Sequence, residues 1–142
     1  MRIRITRRAD TSSTLVCVRA DGSQCWQRHE KRQAAHFPFH DLTHFAVETT
    51  LGAQRAFFGL VASGWEFEDT TGKGAQGAIP PEAIVVEQLV VAGAPLDIAM
   101  RRVLTEATLG AIRARRDALF VRWQAVPSGG TLEVTFPSSP ST

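Results

Sequence analysis

From Leu42 to Leu60 the chain reads as one long helix built around a buried stripe. Leu42, Phe45, Ala46, Thr49, Ala53, Ala56, Phe57 and Leu60 recur at helical spacings of three and four, the period of one buried stripe. Val47, Leu51, Phe58 and Val61 fall off that stripe, so the helix is apolar on more than one side. A helix of this kind must be central, with other elements packed around it. The pattern predicts one helix from about Phe39 or His40 to about Ser63. Pro38 stands just before it, and Lys31 to Ala35 reads as a connector. Asp41 falls in the first turn, where a carboxylate suits the positive helix end, and Gly64 is a natural stop.

What surrounds the helix is legible at both ends of the chain. Residues 2–6 alternate Arg2 and Arg4 with Ile3 and Ile5, the period of two that marks a half-buried strand. Thr14 to Ala20 is β-branched and apolar and predicts a second strand. Asp21-Gly22 signals a hairpin, with Gln24 to Arg28 as the return strand and Trp26 as its expected core anchor. Thr131 to Phe136 alternates again, placing Leu132, Val134 and Phe136 on one face of a strand that joins the N-terminal meander.

Between these ends, Gly72 to Gly77 forms a Gly-rich loop, expected to be the most flexible part of the middle. Gly72-Lys73-Gly74 lacks the spacing and the Lys-Ser/Thr ending of a phosphate-binding loop, so it reads as a surface loop. Pro80-Pro81-Glu82 opens a helix of about a dozen residues that Gly93 ends. Asp97 is expected to cap a third helical region running through Ile98, Met100, Val103, Leu104, Leu109 and Ile112. Gly110 is a candidate break, and the pattern resumes to about Trp123. The fold class expected is α+β: an antiparallel sheet packed against a central long helix and two or three further helices. A single domain is expected over residues 1–136, with residues 137–142 as a disordered tail.

Composition excludes several function classes. No apolar run approaches the ~18 residues that span a bilayer. The alternating start offers no signal-peptide core, so a cytoplasmic protein without membrane partners is expected. Cys17 and Cys25 make no Cys-x-x-Cys pair and are expected to be reduced, structural thiols. With a three-residue hairpin turn they would sit opposite one another; with a two-residue turn they would face opposite sides. The net charge of +2 is unevenly spread. Residues 1–40 carry eight Arg/Lys against three Asp/Glu, residues 41–97 two against eight, and residues 98–142 six against three. The chain has no Tyr, and its arginines are not interleaved with stacking aromatics, which argues against nucleic-acid binding.

The residues that suggest chemistry are His40-Asp41-Leu42-Thr43-His44. Two histidines four apart on a helix are one turn apart, so both imidazoles can face one ion. Glu48 lies one turn further on, and His36 precedes the predicted helix by a loop able to fold back. A third ligand would be Glu48, His36, or an acid from elsewhere such as Glu66, Glu68 or Glu87. In the metalloprotease motif His-Glu-x-x-His the Glu is the general base; here that position is Asp41, one methylene shorter. The same residues also suit a polar cleft without metal, in which His performs acid/base work near neutral pH.

His-Asp-x-x-His resembles the zinc motif of a ubiquinone-biosynthesis protein family, in which a Glu follows the second His by twelve residues; the matching residue here is Ala56. The run Phe37-Pro38-Phe39-His40-Asp41-Leu42-Thr43-His44-Phe45-Ala46-Val47-Glu48, with Ala56 to Trp65, is similar to a family of small bacterial proteins. That resemblance covers roughly the first half of the chain and implies a bacterial, cytoplasmic source. It implies no activity.

The function expected from these readings is a small-molecule or metal-binding protein, hydrolase-like in its chemistry. His40 and His44 would hold a divalent metal such as zinc, and Asp41 and Glu48 are the candidate catalytic residues, as ligand or general base. Whether the chain is an enzyme stays open. The alternative is a non-enzymatic interaction module that assembles as a homo-oligomer.

Overall fold

In a computed structural model, which describes residues 1–92 and 104–137, the chain is an α+β domain. Strands β1 (Arg2–Arg7), β2 (Ser13–Val18) and β3 (Gln24–His29) are followed by helices α1 (Lys31–Leu51), α2 (Phe57–Ala62), α3 (Pro81–Ala92) and α4 (Glu106–Gln124), and then by strand β4 (Thr131–Thr135). The four strands form one antiparallel sheet in the order β3-β2-β1-β4. The last strand thus joins the N-terminal meander, as expected, and does so by pairing with the first.

The sheet buries one face. Ile3 and Ile5 from β1, Leu15 and Cys17 from β2, Cys25 from β3, and Leu132 and Val134 from β4 pack with Leu42, Phe45, Phe58, Leu119 and Trp123 of the helices. Each large side chain removed from water in this way contributes roughly 1.5–3 kcal/mol. Arg7 ties the sheet to α4: Nε donates to the Val126 carbonyl and Nη2 to that of Trp123, with the guanidinium 4.3 Å from the Trp123 ring centre. A second cluster gathers Val47 and Ala53 with Ala56, Val86, Leu89, Val90 and Ile112. Helix α1 therefore serves two cores, one toward the sheet and one toward α3 and α4, as a helix apolar on several sides requires.

The β2–β3 turn decides which β3 side chains face inward. Gly22 N donates to the Arg19 carbonyl and Arg19 N to that of Ser23. This is a three-residue turn with Gly22 at φ 87°. Cys17 then stands directly opposite Cys25, and both are buried free thiols. Residues 25, 27 and 29 face inward, and Trp26 must face outward. Trp26 is 66% exposed, not the core anchor expected of it.

Helix α1 begins earlier and ends sooner than its apolar stripe suggests. It starts at Lys31 and carries Pro38 inside it. Residues 31–35 are its first turns rather than a connector, and Pro38 costs it one backbone hydrogen bond. It ends at Leu51, where Gly52 adopts φ 68° and its N–H bonds the Glu48 carbonyl. A left-handed cap of this kind is cheap only for glycine. The stripe past Gly52 belongs to the separate helix α2. One close approach fixes this corner: a β-carbon on Gly59 would stand 2.3 Å from the Gln54 carbonyl oxygen.

The Gly-rich segment is tied down through Asp69, whose carboxylate accepts from Glu66 N at 2.8 Å and Gln76 N at 3.4 Å. Thr105 caps α4 by accepting from Thr108 N. Gly110 neither breaks nor ends that helix. The expected Gly93 stop, the Asp97 cap, Ile98, Met100, Val103 and the tail beyond Pro137 lie outside the described residues. Among the described residues no helix is long and apolar enough to cross a membrane.

Candidate metal centre

The early start of α1 places His36, His40, His44 and Glu48 on successive turns of one helix. His36 is exposed, His40 half-buried and His44 buried. Their rings follow one another, with 5.6 Å between the centres of His36 and His40 and 4.9 Å between those of His40 and His44. The expected loop carrying His36 back toward the site is therefore helix.

Helix α3 supplies the third group. It packs across α1 through Val86, Leu89 and Val90, and Glu87 flanks that buried stripe. One Glu87 oxygen lies 2.6 Å from His44 Nε2 and the other 3.6 Å from His40 Nε2. One donor atom from each of His40, His44 and Glu87 can be chosen so that all three lie within 4.8 Å of one another. Donors sharing an ion at about 2.0–2.2 Å stand roughly 3.3 Å apart, and the two Glu87 separations bracket that value.

Glu48 stands behind the site rather than in it. Its side chain is fully buried. One oxygen accepts from Phe58 N at 2.9 Å and Gly59 N at 3.2 Å, and the other is 3.2 Å from His44 Nδ1. The turn at Gly52 makes this possible, since it swings the start of α2 back against α1. The two amide bonds favour the ionised carboxylate, which can only accept. Nδ1 of His44 therefore carries a hydrogen, and Nε2 is the nitrogen turned toward Glu87 and His40. A carboxylate on the far ring nitrogen is the arrangement that orients metal-binding histidines and raises their basicity.

The ionisation of these groups follows their surroundings. Burial alone would depress His44, but its hydrogen bonds to Glu48 and Glu87 outweigh that and hold it up at about 9. Glu87 is correspondingly lowered, first by its bond to His44. Burial pushes Glu48 up against the pull of His44. His40 is pushed down to about 4, mainly by burial and then by the neighbouring His44 charge, so its imidazole is neutral at physiological pH. Asp41 is buried and raised to about 7, because desolvation outweighs the attraction of His44.

Asp41, His40, His44 and Glu87 open onto one cavity of about 810 Å³ between α1, α3, β3 and the segment that follows α2. Phe57, Leu60, Phe67, Ile79, Ile84 and Val91 give it apolar walls, and the inward-facing β3 residues Gln27 and His29 close one side. Glu66, one of the acids weighed as a third ligand, instead meets Arg19 at 3.4 Å. Ala56, which stands where the ubiquinone-biosynthesis motif has its Glu, is the buried residue preceding α2.

Comparison with known proteins found no matching family model, no matching curated protein and no matching solved structure. The functional reading therefore rests on the geometry of this site. Sequence pattern places the two histidines on one helix face and includes Glu87 among the acids able to join them. Choosing Glu87 requires knowing that α3 crosses α1 at that level, a contact 43 residues apart in sequence.

Proposed function

We propose that this protein binds a divalent transition metal, zinc by the chemistry of its donors, through His40, His44 and Glu87. The observation that carries the reading is the convergence of these three donors in front of a histidine whose other nitrogen is held by a buried carboxylate. Two imidazoles and one carboxylate leave room for a further ligand, the pattern of catalytic rather than structural zinc sites. A metal there would polarise a carbonyl or activate water.

Asp41 is the acid/base group of this reading. It lines the same cavity, and its carboxyl titrates near neutrality, where a proton can be both taken and returned. Glu48 acts through His44 as a positioning residue. The protein is then a hydrolase-like metal enzyme acting on a small molecule held in the cavity.

Metal analysis of protein prepared without a histidine tag tests this. One equivalent of zinc is expected, with loss in His40→Ala, His44→Ala and Glu87→Ala. Sub-stoichiometric metal, unchanged by these substitutions, refutes it. The 2.6 Å contact between His44 and Glu87 supports a second reading, a metal-free cleft in which His44 and Asp41 exchange protons with a ligand. That reading predicts full ligand binding in chelator-treated protein.

A further inference from the structure

We infer that the cavity takes an uncharged carbonyl compound with an apolar body, its oxygen directed to the His40–His44–Glu87 end. The head-group placement rests on the proposed metal site; the charge and body of the ligand do not.

The cavity, about 810 Å³, falls within the roughly 300–1,000 Å³ typical of sites that engulf a small organic ligand. No Lys or Arg is among the described residues that line it. The carboxylates of its lining, Asp41 and Glu87, are at one end, where His44 is already held between Glu48 and Glu87. The remaining polar lining consists of the neutral side chains Gln27, Thr70, Thr71 and Gln88, together with His29. In the metal-free protein a phosphorylated or carboxylated ligand would lose its hydration and find no Lys or Arg among the described lining residues to replace it.

The body of the ligand is indicated by the mouth. Ile84, Gln88 and Val91 fall on one stripe of α3 and line the cavity. Ile84 is 48% exposed and Val91 67%. Large apolar side chains exposed together at the rim of a pocket mark a surface that a ligand covers. Phe57 and Phe67, which line the same cavity, stack with ring centres 5.7 Å apart and 23° between planes, presenting a flat apolar wall.

The test uses the neutral fluorophore N-phenyl-1-naphthylamine with the whole protein, both treated with chelator and loaded with zinc. Octanamide and octanoate, which share a chain and differ in head-group charge, compete for it in the chelator-treated protein. One fluorophore per chain is expected, with octanamide displacing it at a concentration at least tenfold below that of octanoate. Ile84→Asp and Val91→Asp, both at exposed positions where folding tolerates a charge, should each weaken fluorophore binding about tenfold or more. Equal competition by octanoate, or undiminished binding in both variants, overturns the inference. If zinc is not retained but the amide preference holds, the ligand class stands and the metal reading falls. If zinc is held by His40, His44 and Glu87 and no fluorophore binds, the ligand class alone is refuted.

Discussion

Replacing Glu48 with Gln separates its role behind His44 from any role as a ligand. The glutamine amide has the shape of the carboxylate, and its oxygen can still accept from Phe58 N and Gly59 N, 2.9 and 3.2 Å away in the parent. Its NH2 then faces His44 Nδ1, where a donor meets a donor. The imidazole answers by moving its hydrogen to Nε2, the nitrogen that must bind metal. Losing such a carboxylate partner weakens metal binding by about 10–100-fold, or roughly 1.4–2.7 kcal/mol. The fold should survive, because weakening these charge-assisted bonds costs about 1–3 kcal/mol against a domain stability of about 5–15 kcal/mol. Competition for zinc against a chromophoric chelator gives the affinity, and a thermal melt shows that the variant is folded. Glu48→Asp, which keeps the charge but is a methylene shorter, should fall between parent and Glu48→Gln. A folded Glu48→Gln protein with parental zinc affinity refutes the tautomer argument. Truncation to Ala is a different experiment, since it leaves two amides and the His44 Nδ1 unpaired in the interior and should destabilise by about 3–5 kcal/mol.

Metal affinity should rise with pH. His44 is held protonated up to about 9 and must release one proton to bind, whereas His40, pushed down to about 4, is already neutral. Affinity is therefore expected to increase about tenfold per unit between roughly pH 5 and 9 and then level off; isothermal titration across pH 6–8 that shows a flat profile contradicts this. Gly59→Ala should lower stability by about 1–3 kcal/mol, because its β-carbon would stand 2.3 Å from the Gln54 backbone oxygen; an unchanged denaturation midpoint would show that α2 packs differently. Trp26→Ser should stay within about 0.5 kcal/mol of the parent, while Trp123→Ala, at a 2% exposed position, should cost about 3–5 kcal/mol. Urea titrations that reverse this order would overturn the β3 register.

The two ends of the domain are readable residue by residue because strand parity is local. Ile3 and Ile5, then Leu132 and Val134, announce which face they bury, and Pro80-Pro81 announces α3. Parity fails at Trp26 for a definable reason. The hairpin admits turns of two or three residues, and the choice inverts every side chain of β3. Once Cys25 is placed opposite Cys17, Trp26 has to face solvent. The helix boundaries fail differently. Pro38 is a common first-turn residue, so it hides the two turns that precede it, and Gly52 interrupts an apolar stripe that continues unbroken into α2. Both errors come from reading one period across a chain that changes direction. The site shows the same division. His40 and His44 are neighbours through helix geometry alone, whereas Glu87 joins them through the packing of α3 on α1.

The interior of α1 also bears on why the site is there. From Asp41 to Glu48 every residue is buried, and three of those eight are titratable. A helix needed only for packing would be more stable with carbon at these positions, since buried ionic groups seldom contribute net stability. Glu48 is satisfied by His44 and α2, and His44 by Glu48 and Glu87, but Glu87 is itself half exposed at the cavity edge. The chain of partners thus runs from the interior outward and ends at the cavity wall. Local preference and global fold disagree along this one stripe and agree nearly everywhere else, and such disagreements concentrate where a protein does its chemistry. Replacing Asp41 with Asn tests the argument at its least partnered member. Removing a carboxyl that burial has raised to about 7 should raise stability at pH 7. The gain should grow as pH climbs from about 4 to about 7 and level off above that: a group whose folded-state value is raised favours folding fully only below its unfolded value, and that contribution is lost as pH rises through the folded one. Asn at this position lowering stability by more than 1 kcal/mol at pH 8 would mean that Asp41 is structural, and the functional reading of the stripe would lose its acid/base member.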